Sequence, residues 1–180
     1  MTSKVLARIA GWSSILSVLV FIVAFVLVAA SSGTDTPLTI ALFLISSVFI
    51  APVFYALYVF HRSQAQAITL TALIVGIIAV GLSVIAPTPT SNALLFNTSS
   101  VLFGIAILIF GYLGLQNAEM PRPLAIIAIL TGIMALVATA LTLGALAIAD
   151  LLSLAFIVLF LVWASWLGWL LLKGKLLQPQ

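Results

Sequence analysis

Long apolar runs separated by short polar or proline-rich breaks organise the whole chain. A helix needs about 20 such residues to cross a hydrocarbon core of roughly 30 Å. The breaks are SSGTDTP (31–37), HRSQAQ (61–66), PTPTSN (87–92), QNAEMPRP (116–123) and a short GALAIA turn (144–149). They leave six spans, at about 9–30, 38–60, 67–86, 93–115, 123–144 and 150–172. The last break is itself apolar. It is read as a turn because Gly144 can stop one helix and Asp150 can act as N-cap or first-turn anion of the next. The pattern predicts an all-α, polytopic integral membrane bundle of six transmembrane helices, forming a single domain over 1–180.

The first span has some marks of a signal peptide, with Lys4 and Arg8 ahead of it and Ala29-Ala30-Ser31 behind it. Its apolar run Ile9–Ala30 is too long, since a signal-peptide core holds roughly 7–15 residues. It therefore reads as the first transmembrane helix. The run holds 13 Leu, Ile, Val and Phe residues. Each contributes about −0.3 to −0.6 kcal/mol near the helix centre, which is enough to carry Ser13, Ser14 and Ser17 into the bilayer.

Charge sets the orientation. Lys4, Arg8, Arg62, Arg122, Lys173 and Lys175 all fall at the N-terminus, the second and fourth breaks, or the C-terminus. The other breaks hold no Lys or Arg, and Asp35 and Asp150 lie there. The positive-inside rule then places both termini in the cytoplasm, of a bacterial cytoplasmic membrane in this reading.

Composition narrows the chemistry. Of 180 residues 65% are hydrophobic and 5% charged, against about 25% charged in a soluble domain. The formal net charge of +3 comes from scattered cations. Nucleic-acid binding needs several phosphate contacts at once, so that class is excluded. Zero Cys removes disulfides, thiolate metal sites and Cys nucleophiles. One His and three acids, Asp35, Glu119 and Asp150, make no metal cage. No ionisable residue lies in the middle of a span, which argues against a pump, a proton-coupled carrier or a voltage sensor. With no acid–base pair at depth, the expectation is a non-catalytic protein.

The chain repeats itself. Ser46-Ser47-Val48 matches Ser99-Ser100-Val101, and Ala72–Ile77 resembles Ala128–Ile133. Spans two–three and four–five thus read as two copies of one hairpin inserted in the same direction, unlike the inverted repeats of many transporters. Small residues four apart let helices approach closely in lipid. Each span has such a pair: Ala7/Gly11, Ser47/Ala51, Ala72/Gly76, Ser100/Gly104, Ala128/Gly132 and Ala164/Gly168. Gly11, Ala51, Gly76, Gly104, Gly132 and Gly168 are taken as helix-packing positions.

Two groups of residues are candidates for binding. His61, at the end of span two, reads as an ordinary polar residue at a helix end, and the alternative is an axial ligand to haem or a chlorophyll-type pigment. Trp163, Trp166 and Trp169 recur three apart. They fit an interfacial aromatic belt, or a wall for a quinone, a carotenoid or a partner helix. His61, Trp163 and Trp166 are therefore the cofactor candidates, for a pigment or quinone that nothing in the sequence requires. The second group surrounds Pro52, which frees the carbonyl of Val48 within span two. Ser46, Ser47, Pro52, Tyr55, Asn97 and Ser100 are the dense polar groups at depth and could line a cavity for a neutral ligand. Alternatively, the serines bond their own helix carbonyls.

The stretches Arg8-Ile9-Ala10-Gly11-Trp12, Met120-Pro121-Arg122-Pro123-Leu124 and Trp166-Leu167-Gly168-Trp169 resemble those of small bacterial multi-pass membrane proteins of about six helices and unknown function. Pro123 departs from that pattern, where a large aromatic is more usual. The resemblance implies a bacterial source and carries over no activity, substrate or catalytic residue.

The leading expectation is an accessory or scaffold subunit that packs against larger integral membrane proteins, in an energy-transducing complex, with lipids around it. The alternative is a small transporter or binding protein for a neutral or lipid-like ligand.

Overall fold

A computed structural model describes residues 3–31, 34–146, 148–174 and 176. Lys175 and the break positions Ser32, Gly33 and Ala147 lie outside the described residues. Each apolar run forms one helix: α1 (Ser3–Ala30), α2 (Pro37–His61), α3 (Gln66–Ile85), α4 (Ala93–Gln116), α5 (Arg122–Leu143) and α6 (Ala149–Leu172). All six are long and apolar enough to span a membrane, and the described residues contain no strand.

The boundaries fall within a residue of those predicted, except at the start. There α1 begins at Ser3 rather than residue 9 and carries Lys4 and Arg8 on its first turns. Long cationic side chains can reach from a helix end toward the headgroups, so the helix does not have to stop for them.

The breaks supply the caps. Thr36 and Thr39 form a reciprocal capping box on α2, with Thr39 N–H donating to Thr36 Oγ1 at 3.2 Å and Thr36 N–H to Thr39 Oγ1 at 2.8 Å. Pro37 occupies the first turn, where its missing N–H costs nothing. Asn92 caps α4 by accepting from Leu95 N–H at 3.1 Å. Gly144 ends α5 at φ −82, and the left-handed residue of that turn is Ala145, at φ 52. Asp150 stands in the first turn of α6, facing the positive helix end. Pro52 lies inside α2, which continues through it to His61.

The helices alternate in direction and pack in chain order, and α6 closes on α1 to complete a ring. Across the ring, α2 also touches α4. Aromatic side chains touch one another across the ring. Phe21 meets Phe43 and Phe160, Phe160 meets Phe103, Phe103 meets Phe54, and Phe54 stacks on Phe110, at centroid distances of 5.5–6.1 Å. His61 continues the column at 6.3 Å from Phe110.

Glycines set the closest approaches. A Cβ added to Gly132 would lie 2.7 Å from the Gly104 carbonyl oxygen, and one added to Gly104 would lie 3.0 Å from that of Gly132. Gly11 and Gly168 stand in the same reciprocal relation across α1 and α6, each 3.0 Å from the other's carbonyl. Gly76 faces the Phe54 ring, where an added Cβ would come within 2.9 Å. Ala51 is half-buried and packs at the edge of the core.

The repeat is visible in burial. Ser46, Val53, Phe54, Leu57 and His61 of α2 are buried, and so, at one fixed offset, are Ser99, Ala106, Ile107, Phe110 and Gly114 of α4. Thr69, Ala72, Gly76 and Ala79 of α3 correspond in the same way to Ala125, Ala128, Gly132 and Ala135 of α5. The register also extends to α1, whose buried Ala7, Ala10, Ser14, Ser17 and Val18 match Thr69, Ala72, Gly76, Ala79 and Val80 of α3.

Gly132→Ala should destabilise the protein by about 1–3 kcal/mol through overpacking against α4. Gly81 has nothing within 4 Å of an added Cβ, so Gly81→Ala should be neutral or stabilising by up to about 1 kcal/mol. Thermal melts of the two variants in the same detergent check the contrast. Equal losses would mean that the α4–α5 contact is not as close as described.

Candidate functional site

Hydroxyls in a bilayer must find partners inside the protein. Here Ser14, Ser17, Ser46 and Ser99 find them across helix pairs. Ser17 Oγ donates to Ser46 O at 2.9 Å, and Ser46 Oγ donates back to Ser17 O at 3.0 Å, joining α1 to α2. Ser99 Oγ donates to Ala79 O at 2.9 Å and lies 2.6 Å from Ser83 Oγ, joining α4 to α3. Since Ser17 and Ala79 occupy matching register positions, as do Ser46 and Ser99, the same interhelical bond occurs in both hairpins. Ser14 Oγ donates to Ala164 O at 2.7 Å and fastens α1 to α6.

These bonds decide where the proposed ligand residues stand. Ser46 is engaged with α1. Ser47 and Ser100 donate to their own helices, to Phe43 O at 2.9 Å and Phe96 O at 3.0 Å. Tyr55 is 46% exposed on the outer surface and lies against Tyr58. Pro52 and Asn97 are half-buried. Among the described residues no hydrogen bond joins any two members of the group.

His61 and the tryptophans separate as well. His61, at the end of α2, is 0% exposed despite its neighbour Arg62, which is fully at the surface. Phe60 packs edge-on at 4.7 Å. Its Nδ1 lies 3.3 Å from Gln64 Oε1, while Gln64 Nε2 donates to Leu113 O at 3.3 Å and to Gln116 Oε1 at 3.4 Å. With the Gln64 amide so oriented, its Oε1 accepts, His61 Nδ1 carries the hydrogen, and Nε2 presents a bare lone pair. That Nε2 is buried without a hydrogen-bond partner, and so is Trp163 Nε1. Trp163 is 1% exposed and faces the ring interior beside Phe160 at 6.2 Å. Trp166 and Trp169 instead line a groove on the outer surface between α1 and α6.

The chemistry available is therefore narrow. The interior offers one imidazole lone pair and one indole N–H, surrounded by phenyl rings. Among the described residues no group of three His, Cys or acidic side chains is gathered to hold a metal ion. Sequence reasoning treated Ser14 and Ser17 as passengers and overlooked Ser83 and Gln64. For Ser14 there was a signal, because it continues the Ala7/Gly11 small-residue row by one turn. Gln64 lies in a break, and nothing local marks its reach to α4.

Comparison of the chain with protein-family models, with curated proteins and with solved structures finds no match in any of the three.

Two predictions follow from this geometry. Ser46→Ala removes the bond from Ser46 Oγ to Ser17 O while Ser17 Oγ keeps the residue-46 carbonyl, and should cost about 0.6–2 kcal/mol, whereas Ser47→Ala, which breaks only a bond within α2, should cost less. Chemical or thermal melts in detergent rank the two, and the reverse order would contradict the bonding described. His61→Phe removes the unpartnered Nε2 together with the Nδ1–H bond to Gln64 Oε1, and should cost no more than about 0.5–1.5 kcal/mol, the worth of that one bond. A larger loss in melts in the same detergent would mean that Nε2 also has a partner in the membrane.

Proposed function

We propose that this chain is a non-catalytic accessory or scaffold subunit of a bacterial cytoplasmic membrane, with both termini in the cytoplasm, packing against larger integral membrane proteins. One observation carries the reading. Phenylalanines from α1, α2, α4 and α6 touch one another across the ring, and Ser14, Ser17, Ser46 and Ser99 are bound between helices. Little is left inside for a substrate path, and what the protein offers outward is a broad apolar lateral surface. That surface includes Trp12, Val26, Leu94, Leu143 and Leu151.

The orientation rests on charge. Lys4, Arg8, Arg62, Arg122 and Lys173 lie at the bundle end that holds the start of α1 and the end of α6. Asp35 and Asp150 lie at the other end, where Asp35 accepts from the Thr90 hydroxyl and ties two loops together. The positive-inside rule assigns the cationic end to the cytoplasm.

A second reading is favoured by the two unpartnered ring nitrogens, His61 Nε2 and Trp163 Nε1. It makes the chain a holder of a pigment or other ring-bearing group, with His61 as ligand.

Extraction from the native membrane in mild detergent, followed by native mass, partner identification and a visible spectrum, separates the readings. The scaffold reading expects a particle heavier than one chain with partners in fixed ratio. A colourless bare chain or homo-oligomer would overturn it. A coloured particle whose absorption is lost in His61→Phe would support the second reading instead.

A further inference from the structure

The outer groove between α1 and α6 has a built floor, apolar walls and a charged mouth. Its volume is about 480 Å³, and Val18 and Ile22 on α1 and Leu161, Val162, Trp166 and Trp169 on α6 line it. The seam beneath it is locked. Gly11 and Gly168 bring the two backbones together, and Ser14 Oγ bonds Ala164 O at 2.7 Å. The groove therefore exists before anything enters it, which lowers the ordering cost of a guest.

The cations at one end of this groove distinguish it from an ordinary seam between helices. On α1, Lys4 and Arg8 lie on the row that rises through Ile15 to Ile22, at successive three- and four-residue steps. On α6, the row Val162, Trp166, Trp169 ends one turn later at Lys173. All three cationic residues are exposed. The Lys173 ammonium stands 4.2 Å from the centroid of the Trp169 ring, a wall of the groove. A cation–π contact of this kind holds the ammonium beside the groove rather than letting it sweep freely. Neither helix carries an acid at that end: α1 has none, and the single acid of α6, Asp150, is in its first turn at the opposite end.

We propose that this groove binds an anionic glycerophospholipid of the surrounding bilayer, one acyl chain lying against Val18, Ile22, Val162 and Trp166 and the phosphate meeting Lys173, Arg8 and Lys4. The apolar channel fits hydrocarbon, the cations stand at headgroup depth, and basic sites between transmembrane helices are suited to anionic lipid headgroups. A free phosphate would use the mouth alone and leave the channel unexplained, so the lipid is the occupant.

The test uses the full chain in detergent micelles containing equal amounts of phosphatidylglycerol and phosphatidylcholine, with lipid retention read by native mass spectrometry. The wild type should retain phosphatidylglycerol in preference. Lys173→Gln should reduce that preference about fivefold, the size expected for one basic residue near an anionic surface. Ser165→Phe, which places a ring in the groove from an exposed position, should abolish retention of phosphatidylglycerol. Unchanged elution on size exclusion checks the fold of each variant. If Ser165→Phe fails that check, the Arg8→Gln/Lys173→Gln double variant replaces it and should lose the preference altogether. Equal retention of the two lipids by the wild type overturns the proposal, and so does a preference for phosphatidylglycerol that these variants leave unchanged.

Discussion

In hydrocarbon, helices gain nothing from burying apolar surface against one another, because the lipid is as apolar as the partner helix. Association then depends on how closely two backbones can approach and on whether each buried hydroxyl finds an acceptor. The rest of this structure follows from that constraint. The reciprocal contacts of Gly104 with Gly132 and of Gly11 with Gly168 are made where a methyl group would already be too much. The serine bonds sit on the neighbouring seams, α1 with α2 and α3 with α4. Ser14 reinforces the α1–α6 seam on which ring closure depends.

Ring closure explains both the filled axis and the repeat. Six helices in a ring leave a central space, and the phenylalanine column occupies it. Buried positions recur between alternate helices, which run in the same direction, α1 with α3 and α5, and α2 with α4 and α6. The third hairpin keeps this register on α6, where Trp163, Ala164, Leu167 and Gly168 stand in for Ala106, Ile107, Phe110 and Gly111 of α4. It loses the serine bond, because the α6 position that corresponds to Ser99 is Phe156, which has no hydroxyl. The equivalence is that of hairpins inserted in the same direction. Its hydrogen bonds group α1 with α2 and α3 with α4, whereas the sequence repeat groups α2–α3 and α4–α5. In a closed ring both groupings describe the same succession of helices.

The helices themselves were legible because apolar runs of membrane length between polar breaks admit little else. The small-residue rows were legible too, and Gly104, Gly132, Gly11 and Gly168 lie where two backbones meet. The inward and lipid-facing sides of each helix were not. Every helix is apolar all round, so no amphipathic stripe separates Phe54, at the centre, from Tyr55, on the outer surface. The tryptophan row reads as one feature along the chain, yet Trp163 turns inward and Trp166 outward, because a step of three residues drifts around the helix. His61 looks interfacial beside Arg62, and only the return of Gln64 toward α4 encloses it.

The central claim is that α6 closes on α1. The chain has no cysteine, so an introduced pair reports cleanly. In Ser14→Cys/Gly168→Cys the two Cβ atoms would stand about 3.1 Å apart, close enough for a disulfide after a slight relaxation toward the usual ~3.8 Å. Oxidation in native membranes should link α1 to α6 within one chain, read as two blocked thiols and a faster-migrating band. Free thiols in this pair, under conditions that cross-link Gly104→Cys/Ala135→Cys between α4 and α5, would contradict the closed ring.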